Sequence, residues 1–491
     1  MALNLVRNSR VFFTTNVNAS TGVANTSGFT AANTQEIQVL DGFTFSQNTN
    51  ADVITISEAG VAPVRGQRSF NTSLAPVDFS FSTYVRPFNA TTAITAEESV
   101  LWNAMFGAVD YNATTSTLTL AGTPTYAYAF SAGVGTLTIT LTSGTLTAGA
   151  SVGDIVTIGG FTAATGGALN SFNAPAQIVS YKVGASSVTS GAVPATGLTE
   201  LVLTYVNPTV TATTGLTNSS PKIYRGAWAP VAATQAIATA AGSNLNQLLK
   251  FAMFFAVDNV VYQVDNCAMN QVMIDFGLDA IATLAWTGQA TKLTESAVAL
   301  STITATAGTS YTAKNTSAPF ITNKLSTVEF RTLNALGSAA ATTYTMALTG
   351  GSITINNNIT YITPANLGVV NVPAVYYTGT RSITGTMNAY LKTGSGVGST
   401  GQLLADMLAA SSSSVEPMAA VSLAIGGSSN SNRVVLDMPS VTFTVPTVDV
   451  QAVVSTAINF TAEGSTLSAT ANANAFALDE TNDITVRYFA V

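Results

Sequence analysis

The sequence predicts a mainly β, antiparallel chain built from a duplicated strand, helix and strand module, with the first copy interrupted by a small β-rich unit. Three observations carry that prediction. The first is composition: only 8% of the 491 residues are charged while 47% are hydrophobic, against a usual charged fraction of about 25%. The polarity comes from Thr, Ser, Asn and Gly. Thr with Val, Ile, Tyr and Phe favours strands, and Gly and Asn supply turns. The second is repetition, since RGQRSFNTSLAPVDFSFSTYVRPF at 65–88 returns as TGTRSITGTMNAYLKTG at 378–394. The third is a composition shift: between Tyr111 and Thr199 the charged residues are Asp154 and Lys182 alone.

Each element follows from local pattern. In the first copy Val77, Phe79, Phe81, Thr83 and Val85 share one strand face, and Asp78, Ser80, Ser82, Tyr84 and Arg86 the other. In the second, Ile383, Gly385, Met387, Ala389 and Leu391 oppose Thr384, Thr386, Asn388, Tyr390 and Lys392. Both strands end on the polar face with a tyrosine and then a base. A Gly-x-Arg-Ser turn is expected before each, at Gly66–Ser69 and Gly379–Ser382. A helix then follows each strand. TAEESVLWNAMFG places Val100, Leu101, Ala104 and Met105 on one face, and STGQLLADML does the same with Leu403, Leu404, Met407 and Leu408. Capping boxes are expected from Thr95 to Glu98 and from Ser399 to Gln402. Downstream, residues 264–288 pair loosely with 436–464, and NKLSTVEF at 323–330 echoes NDITVRYF at 482–489. Four matches in one order indicate tandem duplication.

Within the interruption, TLTITLTSG, VGDIVTIGGF, AQIVSYKVG and ELVLTYVNP read as short alternating strands between Gly-rich turns, which suggests a small β-barrel or sandwich. Segment 229–250 reads either as a helix or as a loose return to the main module.

Several chemistries are excluded. The chain has no histidine, which removes Ser-His-Asp and Cys-His catalysis, histidine-ligated zinc and a histidine pH switch. One cysteine, Cys267, allows no internal disulfide. A net charge of -7 argues against gripping phosphates, which takes a basic stripe. The apolar stretch LLKFAMFFAV at 248–257 is broken by Lys250 and falls short of a membrane span. MALNLVRNSRVFF lacks the build of a signal peptide, so synthesis in a cytoplasm is expected. Glu97 and Glu98 suggest a glycosidase carboxylate pair, but their place before an apolar run favours a helix cap. GSGVGS at 394–399 lacks the lysine of a phosphate loop and reads as a connection. No catalytic residue, metal or cofactor is expected.

Two similar modules in one chain suit a ring with twice as many units as chains, closed by head-to-tail contacts. A surface poor in charge suits edges that are buried against copies rather than defended. On RNSRVFFTTNV (7–17), NTQEIQVLDGFTFSQNTNADVITISEAG (33–60), the 65–87 strand, LAWTGQA (284–290) and GGSITINNNITYITP followed by TGTRSITGTMNAYL, the chain resembles the double-module tail tube (major tail) proteins of long-tailed bacteriophages. The resemblance covers most of 1–111 and 221–491 and leaves out the 112–220 insertion.

It implies two tail-tube modules, each a β-sandwich or half-barrel with a flanking helix: a first module split over 1–111 and 221–322, and a second over 323–491. It implies three chains in a pseudo-hexameric ring, and rings stacked around a channel that viral DNA crosses without specific binding. The partners would be the protein itself and other tail proteins (initiator, terminator, tape measure, a sheath where there is one), in a virion tail assembled in the bacterial cytoplasm. Ring-to-ring contacts map onto the 1–17 arm with Arg7 and Arg10, onto 45–70 with Asp52, Glu58, Arg65 and Arg68, and onto 355–381 with Arg381. The lumen face is expected to be rich in Asp, Ser and Thr, and the insertion to project outward. The rival readings are a carbohydrate-binding virion adhesin or fibre, resting on Tyr126, Tyr128 and Phe161 as exposed aromatics, and another self-assembling shell subunit.

Overall fold

A computed structural model of the chain describes residues 9–40, 42–56, 66–89, 94–107, 117–121, 124–131, 134–146, 150, 152–159, 163–165, 175–189, 193–194, 196–206, 214–217, 222–224, 226–228, 248–258, 260–278, 280–303, 320–332, 343–346, 348–392, 399–413, 418–426, 432–444, 447–449, 455–463 and 483–489. The fold is mainly β. Strands β1 (Arg10–Thr14), β2 (Thr34–Ile37), β3 (Thr44–Ile56) and β4 (Gly66–Tyr84) come first, then the small pair β5 (Pro87–Asn89) and β6 (Ile94–Ala96), and helix α1 (Ser99–Phe106). The interruption holds β7 (Thr117–Ala121), β8 (Thr125–Ser131), β9 (Val134–Leu146), β10 (Ile155–Gly159), β11 (Ala163–Thr165), β12 (Pro175–Val183), β13 (Ser186–Val188), β14 (Thr196–Val206), β15 (Thr214–Thr217) and β16 (Lys222–Tyr224).

The main sheet resumes with β17 (Gly226–Trp228), β18 (Phe251–Val257), β19 (Val260–Asp275), β20 (Thr283–Ala290) and β21 (Lys292–Glu295). A second series follows: β22 (Thr327–Thr332), β23 (Thr343–Met346), β24 (Leu348–Asn356), the hairpin β25 (Ile359–Ile362) and β26 (Val375–Thr378), and β27 (Ser382–Tyr390). Helix α2 (Thr400–Ser413) leads to β28 (Met418–Ile425), β29 (Arg433–Phe443), β30 (Thr447–Asp449), β31 (Ser455–Glu463) and β32 (Thr485–Phe489).

The pairings of the two series match strand for strand. In the first, β2–β1–β18–β19–β20–β4–β3 are successive antiparallel neighbours, and β21 folds back on the N-terminal half of β19. In the second, β23–β22–β28–β29–β31–β27–β24 repeat that order, and β32 folds back on the start of β29. Tyr84 faces Thr283 and Tyr390 faces Ser455, so the tyrosine at the end of each repeated strand fixes the correspondence of the neighbouring strands as well.

That correspondence explains why the second copy alternates so weakly. Phe79 of β4 sits opposite Gly288 of β20, whereas at the same place Gly385 of β27 sits opposite Phe460 of β31. A Cβ on Gly288 would lie 2.2 Å from the Phe79 ring, and one on Gly385 2.2 Å from the Phe460 ring. One ring fills one slot, contributed by alternate strands of the pair.

Each series buries its alternating face against its helix. Val77, Phe79, Phe81, Thr83 and Val85 are all buried, as are Ile383, Met387 and Ala389. The apparent misfit Thr83 accepts a 2.9 Å hydrogen bond from the indole N–H of buried Trp286, and Trp286 packs edge-on to Trp102 of α1 at 5.1 Å. The Trp102 indole donates to the hydroxyl of Tyr488 in β32, at 2.8 Å. One core therefore runs through both series.

The structure corrects several local expectations. Helix α1 starts at Ser99, with Glu98 at the cap position and no side-chain cap bond, while Thr95 lies in β6. Before α2, Ser399 Oγ does accept from the Gln402 N–H at 3.2 Å, but the Gln402 amide turns to Asp406 instead of reaching back. Leu403 and Met407 are buried whereas Leu408 is exposed. Gly66–Ser69 lies inside β4 and not in a turn. The 323–330 and 482–489 echo joins unlike places, because β22 opens the second series and β32 closes it. Residues 229–247, and 394–398 of GSGVGS, lie outside the described residues.

The interruption folds on itself. β10–β16–β7–β9–β14–β12 are successive neighbours and β12 pairs again with β10, which closes a barrel. Leu137, Ile139, Ile158, Ile178, Leu201 and Leu203 fill it.

Candidate functional surface

The functional feature built by this fold is a broad polar sheet face. β24 pairs with β27 on one side and with the C-terminal half of β19 on the other, so the two series share one continuous sheet. Because side chains alternate across a strand, burial of one face commits the other to a single surface. Across β4, β20, β19, β24, β27 and β31 one row reads Tyr84, Thr283, Asp275, Ser352, Thr386 and Asn459. The next reads Ser82, Ala285, Met273, Thr354, Thr384 and Thr461. All twelve are half-buried or exposed.

Neighbouring groups on this face satisfy one another. Thr44 Oγ1 and Ser80 Oγ are 2.7 Å apart, the Gln289 amide donates to Asp78 at 3.0 Å, and Thr386 donates to Asn459 at 2.8 Å. The two rows contain no Lys or Arg. Apart from Ala285 and the exposed Met273, the rows offer hydroxyls and amides with a few carboxylates, a chemistry that keeps water and does not hold phosphates.

Among the described residues the carboxylates that suggested a catalytic pair are engaged in structural contacts. Glu97 pairs with Arg86 at 3.0 Å, both buried, and Arg86 also donates to Gln38 at 2.8 Å. Glu98 is fully buried and accepts from the Tyr488 hydroxyl at 2.5 Å and the Arg86 backbone N–H at 3.3 Å. Burial pushes its carboxyl up to about 8, against the pull of the Tyr488 hydrogen bond. These carboxylates tie α1 to both series. Among the described residues no cluster of metal-ligating side chains occurs and no helix is long and apolar enough to cross a membrane. Cys267 is buried, and its thiol is raised by that burial.

Of the seven ring-contact candidates, Arg7, Glu58 and Arg65 lie outside the described residues. Asp52 and Arg68 come together on the arm formed where β3 and β4 extend beyond the sheet, two register steps apart and both exposed. The Arg68 guanidinium lies 4.9 Å over the Phe70 ring. Arg10 is elsewhere, paired with Glu36 at 2.7 Å and stacked over Phe12. Arg381 donates twice to Asp483, at 2.5 and 2.9 Å.

What sequence reading missed is apolar. The arm exposes Val53, Ile54 and Phe70. The 363–374 loop, hydrogen-bonded to the arm through Asn371, Thr72 and Leu74, exposes Leu367, Val369, Val370 and Val372. At the other end of β4, Leu278, Ile281, Phe320 and Leu325 are exposed around the start of β20. The signal was available in NLGVVNVP at 366–373, an apolar run in a loop.

The barrel is held to the second series by a buried ionic cluster. Arg487 of β32 binds Asp437 at 2.5 Å and Asp154 of the barrel at 3.0 Å, and Arg433 donates to the Gly153 carbonyl at 2.6 Å. Burial lowers Arg433 to about 10. Of the aromatics behind the adhesin reading, Tyr126 and Tyr128 are partly buried against the barrel core, where burial raises both phenols, and Phe161 lies outside the described residues.

No family model matches the chain. It is 24% identical over 476 residues to the tail tube protein pb6 of Escherichia phage T5, an alignment covering 96% of this chain and 74% of that protein. Over nearly its whole length this mainly β chain is thus similar to a bacteriophage tail tube protein.

Proposed function

We infer that this chain is the subunit of a phage tail tube, in which rings of chains stack and the polar sheet face walls the channel for the genome. The observation that carries the reading is the β24–β19 junction, which already joins two like series edge to edge within one chain and keeps their polar face unbroken. On this reading the first module comprises 1–111 and the chain from β17 to 322, the second 323–491, and the 112–220 insertion, carried on through β16 (Lys222–Tyr224), which closes its barrel, is a decoration anchored by Asp154. Three chains close a pseudo-hexameric ring. A wall of hydroxyls, amides and carboxylates leaves DNA hydrated and free to slide, where a basic wall would act as a brake.

Stacking is assigned to the apolar ends of the sheet. The arm and the 363–374 loop lie at one end of β4 and the Leu278 and Phe320 cluster at the other, so each ring offers one apolar end to the next, with Asp52 and Arg68 alongside. Initiator, terminator and tape-measure proteins would meet the first and last rings. Electron microscopy of the purified protein at rising concentration tests the reading. Hollow, unbranched tubes are expected. Closed shells, solid fibres or glycan-binding monomers would overturn it.

A further inference from the structure

The repeat inside one chain specifies the contact between chains. Ser352, Ile353 and Thr354 of β24 pair with Asp275, Ile274 and Met273 of β19. Each half of that junction has a counterpart in the other series. Ile353 lies opposite Gly385 of β27, and Phe45 lies opposite Phe79 of β4, the residue that corresponds to Gly385. Phe45 is therefore the counterpart of Ile353, and Thr44 and Ser46 those of Ser352 and Thr354. On the other half, Ile274 lies opposite Leu284 of β20, and Val448 opposite Thr456 of β31, which corresponds to Leu284. Val448 is therefore the counterpart of Ile274. The same step sets Asp449 on Asp275, an identity that supports the alignment, and Thr447 on Met273.

The two counterpart edges are left open in the single chain. Among the described residues β3 pairs with β4 alone and β30 with β31 alone, whereas β24 and the end of β19 cover one another. An open edge is a template for another strand. We propose that β3 of one chain pairs antiparallel with β30 of the next, in the register Thr44 to Asp449, Phe45 to Val448 and Ser46 to Thr447, repeating between chains the junction built within each. The inference rests on the tube reading. The contact is head to tail, so it generates a ring rather than a two-fold dimer, and it makes every seam of the wall alike.

Paired cysteines test the register. Directly opposed residues in antiparallel strands lie about 4.5–5.5 Å apart at Cα, within disulfide reach. A shift of two residues adds about 6.6 Å along the strand and breaks that reach. The native Cys267 is buried and gives a silent background. Ser46→Cys with Thr447→Cys, and Thr44→Cys with Asp449→Cys, should convert most of the monomer band of oxidised tubes into a ladder of covalent multimers. Thr44→Cys with Thr447→Cys should not. Tubes that form without on-register cross-links, or that cross-link equally off register, overturn the junction while the tube reading stands; absence of tubes from the unsubstituted protein overturns the tube reading itself. Hydrogen exchange on the unsubstituted protein covers variants that fail to fold: the alternate amides of Thr44–Gln47 and Thr447–Asp449 that point away from β4 and β31 should slow at least tenfold from monomer to tube, and equal rates at those amides would refute the pairing.

Discussion

At the residue scale, the low charge of the chain makes its few buried ionisable groups stand out. Glu98 is held up at about 8 chiefly by burial, so the native state keeps a proton that an unfolded glutamate releases near about 4.3. The stabilisation is complete below pH of about 4.3 and is lost as pH rises through about 8. With no histidine in the chain, this carboxyl should dominate the change between about pH 5.5 and 8.5. The urea midpoint should fall over that range, and Glu98→Gln should flatten the fall; equal slopes in both proteins would contradict the assignment. Asp154 makes a second case. Asp154→Ala leaves buried Arg487 with one carboxylate partner fewer and should cost about 2–4 kcal/mol of barrel anchoring, read as faster proteolysis within 112–220. Lys182→Ala, which breaks the more exposed pair with Glu200, should cost at most about 1 kcal/mol. Comparable losses would mean that the Asp154 cluster is no anchor.

At the element scale, the exchange of Phe79/Gly288 for Gly385/Phe460 shows what duplication conserves. It keeps one ring per slot, whichever strand supplies it. Gly385→Phe alone should destabilise by about 3 kcal/mol or more, since two rings contend for one space. Gly385→Phe combined with Phe460→Gly restores the first series' arrangement and should recover at least about 1 kcal/mol relative to the sum of the single changes. Urea unfolding of the four proteins measures this, and strict additivity would deny the equivalence. The same pair marks where the sequence stopped being legible. Strand faces of β4 and β27 could be read because period-two alternation is local. The Gly/Phe exchange could not, because the partner residue lies about 75–210 positions away and only pairing brings it near. The capping box at Glu98 failed for a related reason: Tyr488 and Arg86 claim that carboxylate, and Tyr488 lies at the far end of the chain. The apolar run at 366–373 is visible in the sequence, but its exposure is not, because local pattern does not distinguish a buried apolar loop from an exposed one.

At the scale of the whole molecule, one arrangement accounts for the duplication, the scarcity of charge, the open β3 and β30 edges and the apolar ends. Edges and ends that would be liabilities in a monomer are covered when like modules meet sideways and rings meet end to end. Leu367→Asp together with Val370→Asp, at exposed loop positions, should leave the fold intact, with unfolding midpoints shifted by no more than about 0.5 kcal/mol. It should also block tube growth in sedimentation. Normal tubes from that variant would remove the loop from the stacking contact. The measurement that goes to the centre is a cryo-electron microscopy map of the assembled protein. The account predicts a hollow tube of stacked rings, three chains per ring, with the Tyr84 to Asn459 row facing the lumen and residues 117–224 outside. A tube that turned this row outward, or lined its channel with Arg and Lys, would contradict it.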